Sequence, residues 1–234
     1  MRKTYLIACI LVCVVFNLSA EKKNEIQFGL STPSGDFADD DMNDAIFNGT
    51  GFAVDGFYVG YKHISPLSTN GLSWTLNAGM TYNKLGEDFE EDFEEGLTEY
   101  ITETYGYGYD VDVKFLKYIN VPVIAGLQFE RVIANNLSLF GEFGIGFNIL
   151  KLTDLTLSID EDDAVYKFDP SMKAAYKIGG GVLIKGKYSI NLTYMNLGSH
   201  KVSYTVESSD DPIDDSFNKS LPVSNMNLTF GLRF

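Results

Sequence analysis

Glu142, Lys177 and Arg233 are the residues whose placement first suggests chemistry. Each sits on the polar face of a segment whose opposite face is apolar. Around Glu142, for example, Leu139, Phe143, Ile145, Phe147 and Ile149 oppose Ser138, Gly144, Gly146 and Asn148. Glu130, Gln128, Asn77 and Asn191 occupy equivalent polar positions on other segments. If these faces meet in a narrow interior, a carboxylate and two cations can do one of two things. They can bridge one another as a salt-bridged plug, or pass ions or protons along a gated path. Buried charge is costly unless paired, so the plug is the favoured reading.

Other groupings are weaker. His63-Ile64-Ser65 and His200, with Ser199 and Ser203, place a base near a hydroxyl. A working pair needs the base oriented by a third group, and no such partner is evident. The first triplet resembles the His-x-Ser of outer-membrane lipid A deacylases, but it lies at the wrong end of its segment for an outer-leaflet substrate. We expect no catalytic residue and no cofactor. Acids cluster at Asp39-Asp40-Asp41, at Asp160-Glu161-Asp162-Asp163, and at Asp210-Asp211 with Asp214-Asp215; nine more lie between Glu87 and Glu103, with no base among them. Carboxylate oxygens suit Ca²⁺ or Mg²⁺. The spacing is not that of an EF-hand, so weak divalent-cation binding is the most these clusters support. Tyr100, Tyr105, Tyr107 and Tyr109 lie within and just after the Glu87–Glu103 run and fit either a recognition tip or a cap over a barrel mouth.

The elements that must position these residues are strands. In Met226-Asn227-Leu228-Thr229-Phe230-Gly231-Leu232-Arg233-Phe234 the apolar side chains recur at every second position, the period of a strand with two unlike faces. Seven further segments share that period: Glu25 to Thr32, Phe52 to Ile64, Leu72 to Lys84, about Lys114 to Glu130, Leu137 to Leu150, about Ala174 to Lys185, and one starting at Tyr188. Pro122 cannot donate to a ladder, so a bulge or a missing pair is expected there. Connections alternate between short (65–71, 131–136, 185–187) and long (33–51, 85–113, 151–173, about 197–222). Such alternation predicts an all-β, eight-stranded antiparallel up-and-down barrel, with short turns at one end and long loops at the other. A lipocalin-like barrel shares the strand count but turns its apolar face inward. Lipid outside is favoured by Tyr61, Trp74, Phe129, Tyr188 and Phe234 at the short-turn ends, with Tyr82, Phe147, Tyr176 and Tyr194 at the other, as two aromatic girdles.

Residues 1–20 read as a secretory signal peptide: Met1-Arg2-Lys3, an apolar run from Tyr5 to Phe16, and Ala20 at the cleavage point. Residues 21–234 then form the barrel domain. Both cysteines, Cys9 and Cys13, leave with the signal, so the mature chain forms no disulfide. Loss of Arg2 and Lys3 leaves 16 of the 18 basic residues against 32 acidic ones, and the net charge moves from −14 to −16. A chain this acidic repels nucleic acid.

Phe115 to Val123, the Gly179-Gly180-Gly181 strand and the ending Leu228 to Phe234 together resemble the small bacterial outer-membrane β-barrels, called porin-like or opacity-like, of the OmpA/OmpX type and common in Bacteroidetes. The resemblance implies a Gram-negative outer-membrane location. It also implies contact with outer-membrane lipid and lipopolysaccharide, and an assembly signal at Phe230, Leu232 and Phe234 read by the barrel-assembly machinery. We expect a structural or surface-interaction protein that displays acidic loops around a plugged lumen. A narrow small-solute porin is the alternative, and an outer-membrane lipid-modifying enzyme the third reading.

Overall fold

A computed structural model describes residues 23–40, 49–106, 109–160, 162–207 and 213–234, the stretch 213–219 as backbone only. The expected signal at 1–20, both cysteines, Asp41, Tyr107, Glu161, Asp210 and Asp211 lie outside the described residues. Eleven strands form among the described residues: β1 (Lys23–Pro33), β2 (Gly56–Pro66), β3 (Leu72–Lys84), β4 (Val111–Lys114), β5 (Lys117–Ala134), β6 (Leu137–Leu152), β7 (Leu155–Ile159), β8 (Asp162–Phe168), β9 (Ser171–Ile184), β10 (Tyr188–Glu207) and β11 (Ile213–Arg233). One helix, α1 (Glu87–Tyr105), joins them.

Eight strands close a ring in the order β1-β2-β3-β5-β6-β9-β10-β11 and back to β1, every pair antiparallel. The period-two pattern dictates which way each face turns. On β1, Ile26, Phe28 and Leu30 are about half exposed, whereas Glu25, Gln27 and Ser31 are buried. On β11, Met226, Leu228, Phe230 and Leu232 point out, and Asn225, Asn227, Thr229 and Arg233 point in. The apolar face is therefore the outer one, the reverse of a lipocalin. Short connections follow β2, β5 and β9. The last turns on Lys185 and Gly186, both at positive φ, as tight hairpins with right-handed strand twist require. At Pro122 the ladder to β6 continues, but the pairing with β3 skips from Ala78–Val123 to Thr81–Asn120, so the break expected at the proline spans two positions, Pro122 and Val121.

The long connections depart from the expected loops. The second is largely α1, and its sequence carries the reason: Phe89, Phe93, Leu97 and Ile101 recur every four residues and form one apolar stripe beneath the acids. Acids at Glu87, Asp88 and Glu90 in the first turn suit the positive end of the helix dipole. Within the third, β7 and β8 form a hairpin. The fourth continues β10 and β11 as a paired ribbon out to Val206–Ile213. β8 pairs with the far end of β10, β7 with β8, and β4 with β7, giving an outer sheet beyond the ring. Charge in these segments masked an alternation (Leu155, Leu157, Ile159; Ala164, Tyr166, Phe168) that is visible once the pairing is known.

Candidate functional site

The barrel interior has two storeys. The lower one, nearer the short turns, is a chain of alternating charges. Lys177 Nζ lies 2.9 Å from Glu142 Oε1, and Lys62 Nζ lies 3.1 Å from Glu142 Oε2. Lys62 also approaches Glu25 Oε1 at 3.9 Å, and Arg233 Nε donates to Glu25 Oε2 at 3.2 Å. Arg233 Nη1 ends the chain on Glu130 Oε2 at 2.9 Å. The order is thus Lys177, Glu142, Lys62, Glu25, Arg233, Glu130: three acids and three bases.

Strand geometry explains the contacts. Glu25 is paired in register with both Arg233 and Lys62 on the neighbouring strands. The links from Lys62 to Glu142 and from Arg233 to Glu130 join strands that are not neighbours in the ring, so they cross the lumen. Only a barrel narrow enough for side chains to fill permits this. Polar neighbours complete the coordination. Lys62 Nζ donates to Gln128 Oε1 at 3.1 Å, while Glu25 accepts from Gln27 Nε2 at 2.6 Å and from Ser189 Oγ at 3.1 Å. The Lys62 ammonium also sits 5.0 Å from the Phe140 ring centre. Five of the six charged side chains are at most 2 % exposed; Glu130 alone reaches 24 %. Unpaired, any one of those five would carry a large desolvation cost. The arrangement holds its side chains in place rather than presenting a free base or nucleophile.

Of the three residues singled out in the sequence, Glu142 and Lys177 touch. Arg233 does not reach Glu142; Lys62 and Glu25 stand between them. Lys62 and Glu25 were not anticipated, although parity alone puts them on the polar faces of β2 and β1. Asn77 and Asn191 are also buried in the lumen; Asn191 donates to Ser189 and Thr229, and Asn77 to Thr75 and the Ile124 carbonyl. Phe230, Leu232 and Phe234 all face outward.

The upper storey is apolar. The connection after β1 dips into the mouth through a single 3-10 turn, Gly35–Phe37, and fully buries Phe37. That ring meets Tyr118 edge-on at 5.0 Å, and the Tyr118 hydroxyl donates to the Gly51 carbonyl at 2.5 Å. Leu150, Leu197, Leu221 and Val223 pack around them. Gly51 is obligatory here, because a Cβ would lie 2.6 Å from the Phe37 ring. Tyr58, 2 % exposed, belongs to this packed cluster. It lies across Gly60 and Gly79, where a Cβ would come 2.3 and 2.6 Å from its hydroxyl.

The two histidine rings are held by amide and carbonyl neighbours. His63 Nδ1 lies 2.9 Å from Asn24 Oδ1, and its ring is 5.2 Å from Trp74. His200 is buried, with Nε2 at 3.0 Å from the Leu197 carbonyl and 3.3 Å from Asn148 Nδ2; a proton on that nitrogen serves the carbonyl, and a bare nitrogen accepts from the amide. Ser199, a candidate neighbour in the sequence, is exposed on the other face. Among the described residues no three His, Cys, Asp or Glu side chains converge at metal-binding distance. Tyr100, Tyr105 and Tyr109 are exposed rather than folded over the mouth, which Phe37 occupies instead.

No protein-family model matches the sequence, and no curated protein is recognisably similar to it. Solved structures do match. A major outer membrane protein from Thermus thermophilus aligns with a TM-score of 0.52 at 9% identity, over 92% of this chain and 100% of that one. The outer membrane protein OprG from Pseudomonas aeruginosa aligns at 0.49 with 12% identity, over 91% and 95%. Ail, the attachment invasion locus protein of Yersinia pestis, aligns at 0.42 with 16% identity, over 92% and 100%. With its closed antiparallel ring, outward apolar belt and polar interior, this chain has the fold of an outer-membrane β-barrel.

Proposed function

We propose that the chain is a bacterial outer-membrane barrel with a closed lumen, whose role is structural or surface-interacting rather than catalytic or conductive. The buried, charge-balanced chain from Lys177 to Glu130 carries this reading, since its cross-lumen bridges fill the space a solute would need. The apolar storey around Phe37 closes the other end. The outward belt, including Phe28, Phe143, Ile145 and Leu228, suits the hydrocarbon of the membrane and the acyl chains of lipopolysaccharide. Phe230, Leu232 and Phe234 are the residues we assign to recognition by the barrel-assembly machinery. The acids of α1 and the β7–β8 hairpin then face the medium. They serve solubility and repulsion from anionic lipopolysaccharide, with weak divalent-cation binding at most.

Planar-bilayer recording of purified protein tests the closed lumen: little steady conductance is expected. Large, stable single-channel steps would favour the narrow-porin alternative. Fractionation with heat-modifiable gel mobility tests the location, and recovery from the soluble periplasm would overturn it.

A further inference from the structure

Between α1 and the outer sheet lies a cavity of about 190 Å³. Phe89 and Phe93 of α1 form one wall, their rings stacked 5.9 Å apart. Phe115 stands edge-on to Phe93 at 5.9 Å, and Leu85 and Leu116, both almost fully buried, make the floor. The opposite wall comes from the sheet, where Tyr166 and Phe168 pack on Tyr204 at 5.7 and 6.3 Å, with Leu157 beside them. The walls contain no charged residue, although α1 carries nine acids on its other faces. Apolar cavities of about 150 Å³ stay dry and admit benzene-sized guests. Aromatic walls add offset and edge-on contacts that favour a flat ring.

We propose that this hollow is a binding site for a small, uncharged, ring-bearing apolar molecule of one to two rings, held outside the membrane belt between α1 and the outer sheet. Its size excludes a helix or strand of a protein partner, and its lack of any charge excludes an ionic ligand. The site does not depend on whether the lumen conducts.

The test uses the folded protein in lipid nanodiscs, with methyl-labelled leucines and naphthalene as probe. The Leu116 and Leu157 methyl signals are expected to shift saturably, while the belt residues Leu192 and Leu228 show only the unsaturating drift of lipid partition. The anionic analogue 2-naphthoate is expected to produce no saturable shift. Leu157→Trp should fill the cavity and abolish the response at Leu116 while leaving heat-modifiable mobility intact. If that variant does not fold, Phe93→Trp fills the hollow from the facing wall. Absence of a saturable shift in the wild-type protein, or an undiminished one in the filled variant, would overturn the site. Equal binding of 2-naphthoate would overturn its assigned chemistry.

Discussion

The two storeys of the interior solve one problem by opposite means. The lower storey sets long charged side chains across the lumen, where they neutralise one another. The upper storey fills it with apolar residues delivered partly by a connection that dips inward, Phe37 above all. Ion pairs are specific but brittle: removing one member strands its partners. Apolar packing is forgiving, because a segment that loses its anchor can swing away while the ring remains. The lower storey should therefore answer for the stability of the whole barrel, and the upper one for the order of its mouth.

Glu142→Ala is the sharpest way to break that contrast. It leaves Lys62 and Lys177 short of a carboxylate and should cost on the order of 3–5 kcal/mol, read from urea unfolding of the protein in vesicles. Glu142→Leu should be no better. Removing the pair together, as Glu142→Leu with Lys177→Met, leaves two acids and two bases and should restore most of the loss, since apolar replacement of a whole buried pair is often neutral. If the double variant is as unstable as the single one, charge balance is not what holds the lower storey.

Phe37→Ala tests the other half. A buried Phe→Ala change costs roughly 3–5 kcal/mol when the site cannot relax, and less here because the segment can undock. The expected result is a loss of about 2–3 kcal/mol in local opening, with faster amide exchange at Gly51 and Ala53 and an unchanged global unfolding midpoint. A matching fall in the global midpoint would show that the two storeys form one cooperative unit.

These contrasts also show how far the sequence could be read. The ring was legible because one face of each strand must meet apolar surroundings and the other a polar interior, a constraint that acts at every second residue. The strand Leu72 to Lys84 matches its expected limits at both ends. By contrast, β10 and β11 overrun theirs because polar and acidic residues beyond the belt weaken the period. In α1, acids at nine of the seventeen positions from Glu87 to Glu103 hid a stripe that Phe89, Phe93, Leu97 and Ile101 nonetheless spell out. Membership of the charge chain was only half legible. Parity assigns Glu25 and Lys62 to the interior, but which charges meet across a lumen depends on strand tilt and stagger, which parity does not contain.

A smaller effect probes the boundary between the storeys. Gly60→Ala would drive a methyl into the Tyr58 hydroxyl and should cost about 1–3 kcal/mol as overpacking. Gly60→Ala with Tyr58→Phe should recover part of it, and failure to recover any would place the strain in the backbone instead. The smallest expected effect lies outside the ring. Glu90 on α1 has its carboxyl raised above the usual value of 4.5, chiefly by burial. A raised folded-state value means the folded form holds its proton longer, so docking of α1 should strengthen as pH falls through the window just above 4.5. Glu90→Gln should remove that dependence, as measured by amide exchange along Phe89 to Phe93 at about pH 5 and about pH 7.

The seam between β1 and β11 has a consequence for how the molecule is made. Most ring contacts join strands that follow one another along the chain, but Arg233 donates to a carboxylate 208 positions away. Closing so long a loop is entropically demanding and slow, and it brings no gain until the last strand docks. Glu25 cannot meet Arg233 before that moment, so closure of the wall and completion of the charge chain are a single late event. A nascent barrel with its seam open holds Glu25 beside Lys62 on one lip and Arg233 on the other, and the attraction between Glu25 and Arg233 helps draw those lips into register.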